Sequence, residues 1–227
     1  MRILALDTAT ECCSAAMWVD GDILQRQTET DRGHSQLILP MVDELLAESG
    51  VRLTALDAIA FGRGPGSFTG VRLAASVTQG LAFAAQVPVL GVSDLRAEAQ
   101  WMRMFRGAER VLVCNDARMQ EVYWACFEAT PAGLMSLIGR EHVGPPAQVA
   151  LPPGWAVPIH GAGRGFAAYP GLLAAWVTRL AGIESRILPQ AAQIAVLAEP
   201  EVRAGQALSA EQALPVYIRD EVARPSS

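Results

Sequence analysis

The chain has 227 residues, 51% hydrophobic and 18% charged, which is ample for one large domain or two small ones. Its formal net charge of -5 and pI near 5.2 exclude a protein that grips nucleic acid alone through a basic footprint; a role in nucleic-acid chemistry would need another subunit. Positive mean hydropathy with few charges implies that much surface is buried, part of it by a partner.

In chain order, residues 2–6 read as a buried strand ending in Asp7. Residues 14–19 form a second strand, Asp20-Gly21 a hairpin turn, and residues 23–30 a third strand. Ser35 is expected to cap an amphipathic helix over 36–49, stopped by Gly50. Pro40 is expected near its first turn, where a missing N–H costs least. Residues 58–61 are a short buried strand, followed by the loop Gly62-Arg63-Gly64-Pro65-Gly66-Ser67-Phe68-Thr69-Gly70-Val71-Arg72. Residues 73–85 read as a helix of small and apolar residues, and 87–92 as a strand. Asp7 interrupts the first apolar run too early for a secretory leader. Residues 73–93 carry no charge and are long enough to span a bilayer. Ser76, Thr78, Gln79 and Gln86 interrupt them and Pro88 opens a strand, so a buried helix and strand are expected, and no membrane.

Three strands, helix, strand, helix, strand is the order of a mixed ribonuclease-H-like sheet, the building block of the actin-like ATPases. Residues 93–105 then read as a crossover helix into a second half with strands at 110–115, 122–128 and 134–140. Residues 144–158 are a Pro- and Gly-rich loop, 191–198 a helix between Pro189 and Pro200, and 214–218 a short strand or extended segment. The expected class is α/β, with two ribonuclease-H-like lobes of the actin-like fold and the second lobe reduced. Residues 1–102 would be the N-terminal lobe, 103–218 the C-terminal lobe and 219–227 a polar tail. The signal is weakest from 130 to 205.

The loop at 62–72 brings backbone N–H groups close to something, often a phosphate at a helix N-terminus. Yet it is no Walker A loop, since Val71 rather than Lys follows Gly70, and G-x-G-x-x-G breaks at Ser67 and at Thr69. Ser67 lacks the flanking glycines of a nucleophile elbow, having Pro65 and Thr69 instead, and reads as the N-cap of the second helix. Cys12, Cys13, Cys114 and Cys126 match no disulfide framework or zinc site and read as buried small hydrophobes in a reducing cytosol. Asp7, with Thr8 and Thr10 in the turn after it, stands where actin-like ATPases hold an acid near phosphate-bound Mg²⁺. The glycines of a second phosphate loop are missing at Asp116-Ala117-Arg118, and Gly161-Ala162-Gly163-Arg164-Gly165 is a loose substitute. Asp7 is weighed as a turn acid, a remnant nucleotide contact, or the acid of an actin-like ATPase or phosphotransferase.

In the second helix Gly70, Ala74, Thr78 and Ala82 recur every four residues, and Ser76, Gly80 and Ala84 form another small row. Such rows allow close backbone approach, and a helix small or apolar nearly all round must be covered on both sides. On the residues alone, cover by the same lobe and cover by another chain are equally good readings.

Several motifs resemble the bacterial TsaB family, TsaD-related proteins of the glycoprotease-like actin-fold group. They are Ile3-Leu4-Ala5-Leu6-Asp7-Thr8-Ala9-Thr10 with Cys13-Ser14-Ala15-Ala16, Gly33-His34-Ser35-Gln36 with Leu39-Pro40, the loop at 62–72, and Val89-Leu90-Gly91-Val92-Ser93. Asp116-Ala117-Arg118-Met119, Glu121-Val122-Tyr123 and Leu214-Pro215-Val216-Tyr217-Ile218-Arg219 continue the likeness. The resemblance implies a cytoplasmic, non-catalytic scaffold that docks a TsaD-like subunit. That subunit moves a threonylcarbamoyl group from its adenylate to N6 of the adenosine beside the anticodon in tRNA. A TsaE-like ATPase joins the complex. Self-pairing is allowed when the partner is absent, tRNA is met only through the complex, and ATP or ADP belongs, if anywhere, at the complex interface; no cofactor is the chain's own. The catalytic relative carries two metal-binding His one turn apart on the first helix. Here only His34 lies near that helix, followed by Leu37, Ile38 and Leu39, so no metal site and no catalytic residue are assigned. The expected partner interface is Gln36, Leu39, Pro40 and Asp43 on the first helix with Gly70, Arg72, Leu73, Ser76, Gln79, Gly80 and Phe83 on the second.

Overall fold

The first strand is buried on both faces, and that sets the layering. In the computed structural model, which describes residues 1–155 and 158–219, β1 (Arg2–Asp7) pairs antiparallel with β2 (Cys12–Val19), which pairs antiparallel with β3 (Asp22–Glu29). On its other edge β1 pairs parallel with β4 (Ala58–Gly62), and β4 with β5 (Val89–Val92). The sheet order is β3-β2-β1-β4-β5. Leu4 and Leu6 point to one face, against α1 (His34–Ser49) and α2 (Phe68–Ala85). Ile3 and Ala5 point to the other, against α3 (Asp94–Arg106) and α6 (Ala191–Arg203). This is the period-two alternation of a strand between two helical layers.

The second sheet repeats the first. It comprises β6 (Arg110–Asp116), β7 (Val122–Ala129), β8 (Met135–Gly144), β9 (His160–Ala162) and β10 (Gly182–Glu184) in the order β10-β9-β6-β7-β8. Its first three strands are antiparallel neighbours, β9 adds parallel to β6, and β10 adds parallel to β9. This is the predicted pair of ribonuclease-H-like units of the actin-like fold. The second is reduced: β9 and β10 have three residues each. Its outer helices are the short α4 (Gly165–Ala168) and α5 (Pro170–Trp176). Helix α3 lies between the sheets, with Leu95, Ala99 and Met102 packed on Val111, Val113 and Phe127 of the second sheet, and α6 lies beside it on the first sheet. After α6 the chain returns to the first unit. Val89 and Leu208 exchange two backbone bonds of 2.8 Å, and the 3-10 turn at Ala210–Gln212 lies on α2. Among the described residues no helix is long and apolar enough to cross a membrane.

Several local expectations change. Ser35 does not cap α1: the helix begins at His34, after Gly33 at φ 91°, and no side chain caps it. Pro40 therefore sits in the second turn, on the exposed side, where solvent can satisfy the carbonyl that its missing N–H leaves free. Helix α2 begins at Phe68 rather than 73, because the Ser67 hydroxyl accepts the Gly70 N–H and caps it there, as read. Helix α6 runs through Pro200 to Arg203. Strand β5 starts at Val89 rather than 87, and β8 extends to Gly144 rather than ending at 140. Of the two readings of residues 214–218, the extended segment holds and the strand does not; the Val216 N–H bonds the Arg63 carbonyl at 2.8 Å, outside any sheet. Of the expected polar tail, Arg219 is anchored to Glu121 and the Ala117 carbonyl, and residues 220–227 lie outside the described residues.

Candidate functional site

The glycines of the loop at 62–72 serve close approach, but to the chain's own backbone. A Cβ on Gly66 would lie 2.5 Å from the Ala9 carbonyl oxygen, and one on Gly70 2.0 Å from that of Thr8. The Ser67 N–H donates to the Ala9 carbonyl at 2.7 Å, and the Thr8 hydroxyl to the Gly70 carbonyl at 2.7 Å. The turn after β1 is thus seated on the start of α2, in the place where a phosphate would approach that helix. The second unit repeats the device: a Cβ on Gly163 or Gly165 would lie 2.5 or 2.7 Å from the Cys114 carbonyl.

The three candidate nucleotide contacts are all engaged internally. Thr8 is 1% exposed and bonded as above. The Thr10 hydroxyl accepts the Cys12 N–H at 3.3 Å. Asp7 is fully buried, and its Oδ1 accepts the Ala9 N–H at 2.8 Å. Opposite it stands Asp94, also fully buried, whose Oδ2 accepts the Gly64 N–H at 2.5 Å. The two carboxyls converge on Gly62, where a Cβ would lie 2.4 Å from Asp94 Oδ1 and 2.6 Å from Asp7 Oδ1. Asp7 Oδ2 and Asp94 Oδ1 have no donor. Burial, then the charge of Asp94, pushes Asp7 well above the carboxylate range. Burial pushes Asp94 up to about 7. A proton on Asp7, donated toward Asp94, satisfies the pair. A protonated, enclosed carboxyl does not fit the role of an acid beside phosphate-bound Mg²⁺, which needs an exposed anion.

The turns that follow β1 and β6 meet at the mouth of the cleft between the two units. Glu11 lies 3.5 Å from both Arg118 and Arg164, and Arg164 lies 2.8 Å from Glu29. Arg63 reaches Glu141 at 3.3 Å across the same boundary. The carboxyl ends of the central strands, where α/β sheets commonly bind ligands, are held together by opposite charges.

Among the described residues no hydrolytic or metal constellation assembles. Ser67 Oγ is committed to its helix cap. His34 Nε2 donates to the Thr10 carbonyl at 2.9 Å, and His142 stacks on Trp124 with ring centroids 4.9 Å apart. Among the described residues no group of three or more His, Cys, Asp or Glu could hold a metal ion. All four cysteines are buried and free, and burial raises the Cys12 and Cys126 thiols to about 12.

The two small rows of α2 prove to have different duties. Gly70, Ala74, Thr78 and Ala82 are buried in the lobe, so Gly70 is no surface residue. Ser76, Gly80 and Ala84 are exposed, Leu73 is half-buried, and a Cβ on Gly80 would meet nothing within 4 Å. Phe83 beside them is 70% exposed. Helix α1 runs alongside with Gln36, Leu39, Pro40 and Asp43 exposed. Arg72 and Gln79, expected at the rim, are turned toward the C-terminal segment. The Arg72 guanidinium lies 3.5 Å from the Phe68 ring centre and its Nε donates to the Tyr217 hydroxyl at 2.6 Å. Gln79 Nε2 donates to the Glu211 carbonyl at 3.4 Å. Sequence reasoning missed Asp94, Phe68, Leu214 and Tyr217 as parts of these sites. Phe68, Leu214 and Tyr217 stood in recognised motifs, but only their position beside one another at α2 gives them a role.

A family model described as TsaD, tRNA N6-adenosine threonylcarbamoyltransferase, matches residues 23–226. The tRNA threonylcarbamoyladenosine biosynthesis protein TsaB of Escherichia coli is 41% identical, covering 98% of this chain and 96% of its own. That of Haemophilus influenzae is 39% identical, with 98% and 95% covered. Among solved structures, YeaZ from Pseudomonas aeruginosa superposes with a TM-score of 0.86 at 47% identity, over 95% of this chain and 99% of that one. A second protein from that organism, described as similar to peptidase YeaZ, superposes at 0.89 with 48% identity, over 96% and 99%.

Proposed function

The chain belongs to the TsaB family of tRNA threonylcarbamoyladenosine biosynthesis proteins, and from that premise we propose that it is the non-catalytic docking subunit of the modifying complex. Its partner is a TsaD-like subunit that transfers the threonylcarbamoyl group to N6 of the adenosine beside the anticodon. A TsaE-like ATPase completes the assembly. The observation that carries the reading is the bare outer face of α2, where Ser76, Gly80 and Ala84 let another helix approach and Phe83 stands 70% exposed. A folded lobe that leaves such a stripe uncovered on a helix already packed on its sheet offers it to another chain. The reading places the protein in the cytoplasm with its tRNA substrate, gives it no cofactor of its own, and assigns any ATP or ADP to the complex interface. The ATPase reading loses its support with the enclosure of Asp7.

The test is turnover. The purified chain, given tRNA and threonylcarbamoyl adenylate, is expected to form no threonylcarbamoyladenosine and to hydrolyse no peptide. Product is expected only when the TsaD-like subunit is added. Turnover by the single chain that disappears in Asp7→Asn would overturn the docking role and restore the enzyme reading.

A further inference from the structure

The motif Leu214-Pro215-Val216-Tyr217 holds no chemistry and no regular secondary structure, yet it is pinned at several points. Ala213 is buried at 3% exposure against the α1/α2 core. The Val216 N–H bonds the Arg63 carbonyl, the Tyr217 hydroxyl accepts from Arg72, and Arg219 ties the end of the segment to the other unit. The side chains between these pins face out: Leu214 is 62% exposed, Val216 41% and Tyr217 47%. A segment anchored by its backbone with its apolar side chains exposed presents them. Between it and α2 runs a groove of about 410 Å³ lined by Arg72, Ala75, Ser76, Gln79, Leu214 and Tyr217.

We infer that this C-terminal strap is the second wall of the docking surface. With Arg72 it forms a socket for one large apolar side chain flanked by a carboxylate, carried on a helix of the catalytic subunit. The inference rests on the docking reading above. The occupant is a helix because Ser76, which lines the groove, continues at four-residue spacing into the exposed Gly80 and Ala84 beyond it, a row that admits a close helix axis. It is acidic beside its apolar anchor because Arg72, exposed at the rim, is spread over the Phe68 ring. Among the described residues Arg72 has a neutral hydroxyl and no carboxylate as its partner. A second copy of this chain fits less well: two-fold pairing centred on the groove would bring two Arg72 guanidinium groups together.

Calorimetric titration of the TsaD-like subunit into the full chain tests the socket. Leu214→Glu, which sets a carboxylate in the socket, is expected to weaken binding about tenfold to hundredfold, as loss of a central anchor does. Arg72→Glu is expected to weaken it at least as much, and Arg72→Lys much less. In the unaltered chain, hydrogen exchange at the amides of 214, 216 and 217 is expected to slow when the partner is added, which decides the matter even if a variant fails to fold. Wild-type affinity in a folded Leu214→Glu, with no new protection at those amides, overturns the socket. Gly80→Leu separates the two readings: if it still weakens binding, docking on α2 stands without the strap, and if it also binds as wild type, both fall. Self-association lost in Leu214→Glu with partner binding intact assigns the socket to a second copy and overturns the proposal.

Discussion

Asp94 shows how one residue couples the layers. It lies at the start of α3, where a carboxylate is ordinarily favoured by the helix N-terminus, yet it is fully buried against Asp7. Arg63 and the Gly64 N–H favour its charge, whereas burial and Glu141 oppose it, and burial dominates. One turn further along, Glu98 is also buried. Its Oε1 accepts from Asn115 at 2.6 Å and its Oε2 has no partner, so it too is pushed well above the carboxylate range. Folded-state values above the unfolded ones fix the sign. The stability Asp94 contributes is complete below about pH 4, where both states are protonated, and is lost as pH rises through about 7; Asp7 and Glu98, also raised, act with the same sign. Urea unfolding at pH 5 and pH 8 is expected to show a wild type less stable at pH 8 by on the order of a few kcal/mol. Asp94→Asn, which keeps the shape and removes one of the titrating groups, should reduce that difference while Asp7 and Glu98 keep part of it. A variant with the same pH dependence as wild type would show that the pair is not protonated. None of this was legible from sequence: Asp7 was noticed, but its partner lies 87 residues away on another element.

At the scale of the element, α2 is one helix with two faces whose glycines look alike in sequence. Gly70 lies under the Thr8 carbonyl and Gly80 faces open space. Gly70→Ala forces its methyl group into backbone, and is expected to destabilise by about 1–3 kcal/mol or more, as overpacking does. Gly80→Ala meets nothing and should gain up to about 1 kcal/mol of helix propensity. Gly80→Leu should melt near the wild-type temperature while binding the TsaD-like partner about tenfold to hundredfold more weakly, because the side chain holds the helices apart. Circular dichroism melting beside calorimetry separates the two effects. A Gly80→Leu variant that unfolds as readily as Gly70→Ala would mean that the outer row is core. The period-four rows were legible from spacing alone; which row faces the sheet was not, because both are small and uncharged and only packing distinguishes them.

For the whole molecule, charge and connectivity decide. Glu11, Arg118, Arg164 and Glu29 close the mouth between the two units, and the strap from Leu208 to Arg219 crosses from one to the other. With a net charge of -5 and arginines tied to carboxylates at that mouth, little basic surface remains there for a phosphate backbone. The isolated chain is therefore expected to bind tRNA more weakly than about micromolar in a gel-shift titration at physiological salt. Micromolar or tighter binding, weakening steeply as salt is raised, would reveal a basic surface that the charge distribution does not suggest.

Sequence by itself determined the order of strands and helices through residue 140, the duplicated ribonuclease-H-like plan, the Ser67 cap and the family, because strand alternation, turn residues and helix caps are local signals that survive without tertiary contacts; the short elements β9, α4, α5 and β10 carried no such signal. It also marked the loop at 62–72 as special. Only the tertiary structure decided what that loop is for. Its glycines answer to Thr8 and Ala9, its Arg63 and Gly64 to the strap and to Asp94, and these contacts join residues that the chain places far apart. The same holds for Pro40, Pro200 and the strap. Local rules place Pro40 near a first turn and Pro200 at a helix end, and read the strap as a short strand or extended segment. Packing on the sheet carries the helices through the prolines, and the strap meets only isolated backbone bonds rather than a sheet edge. Long-range burial outweighs local preference wherever the two compete, since a fraction of a turn's propensity is small beside the burial of a whole helix face.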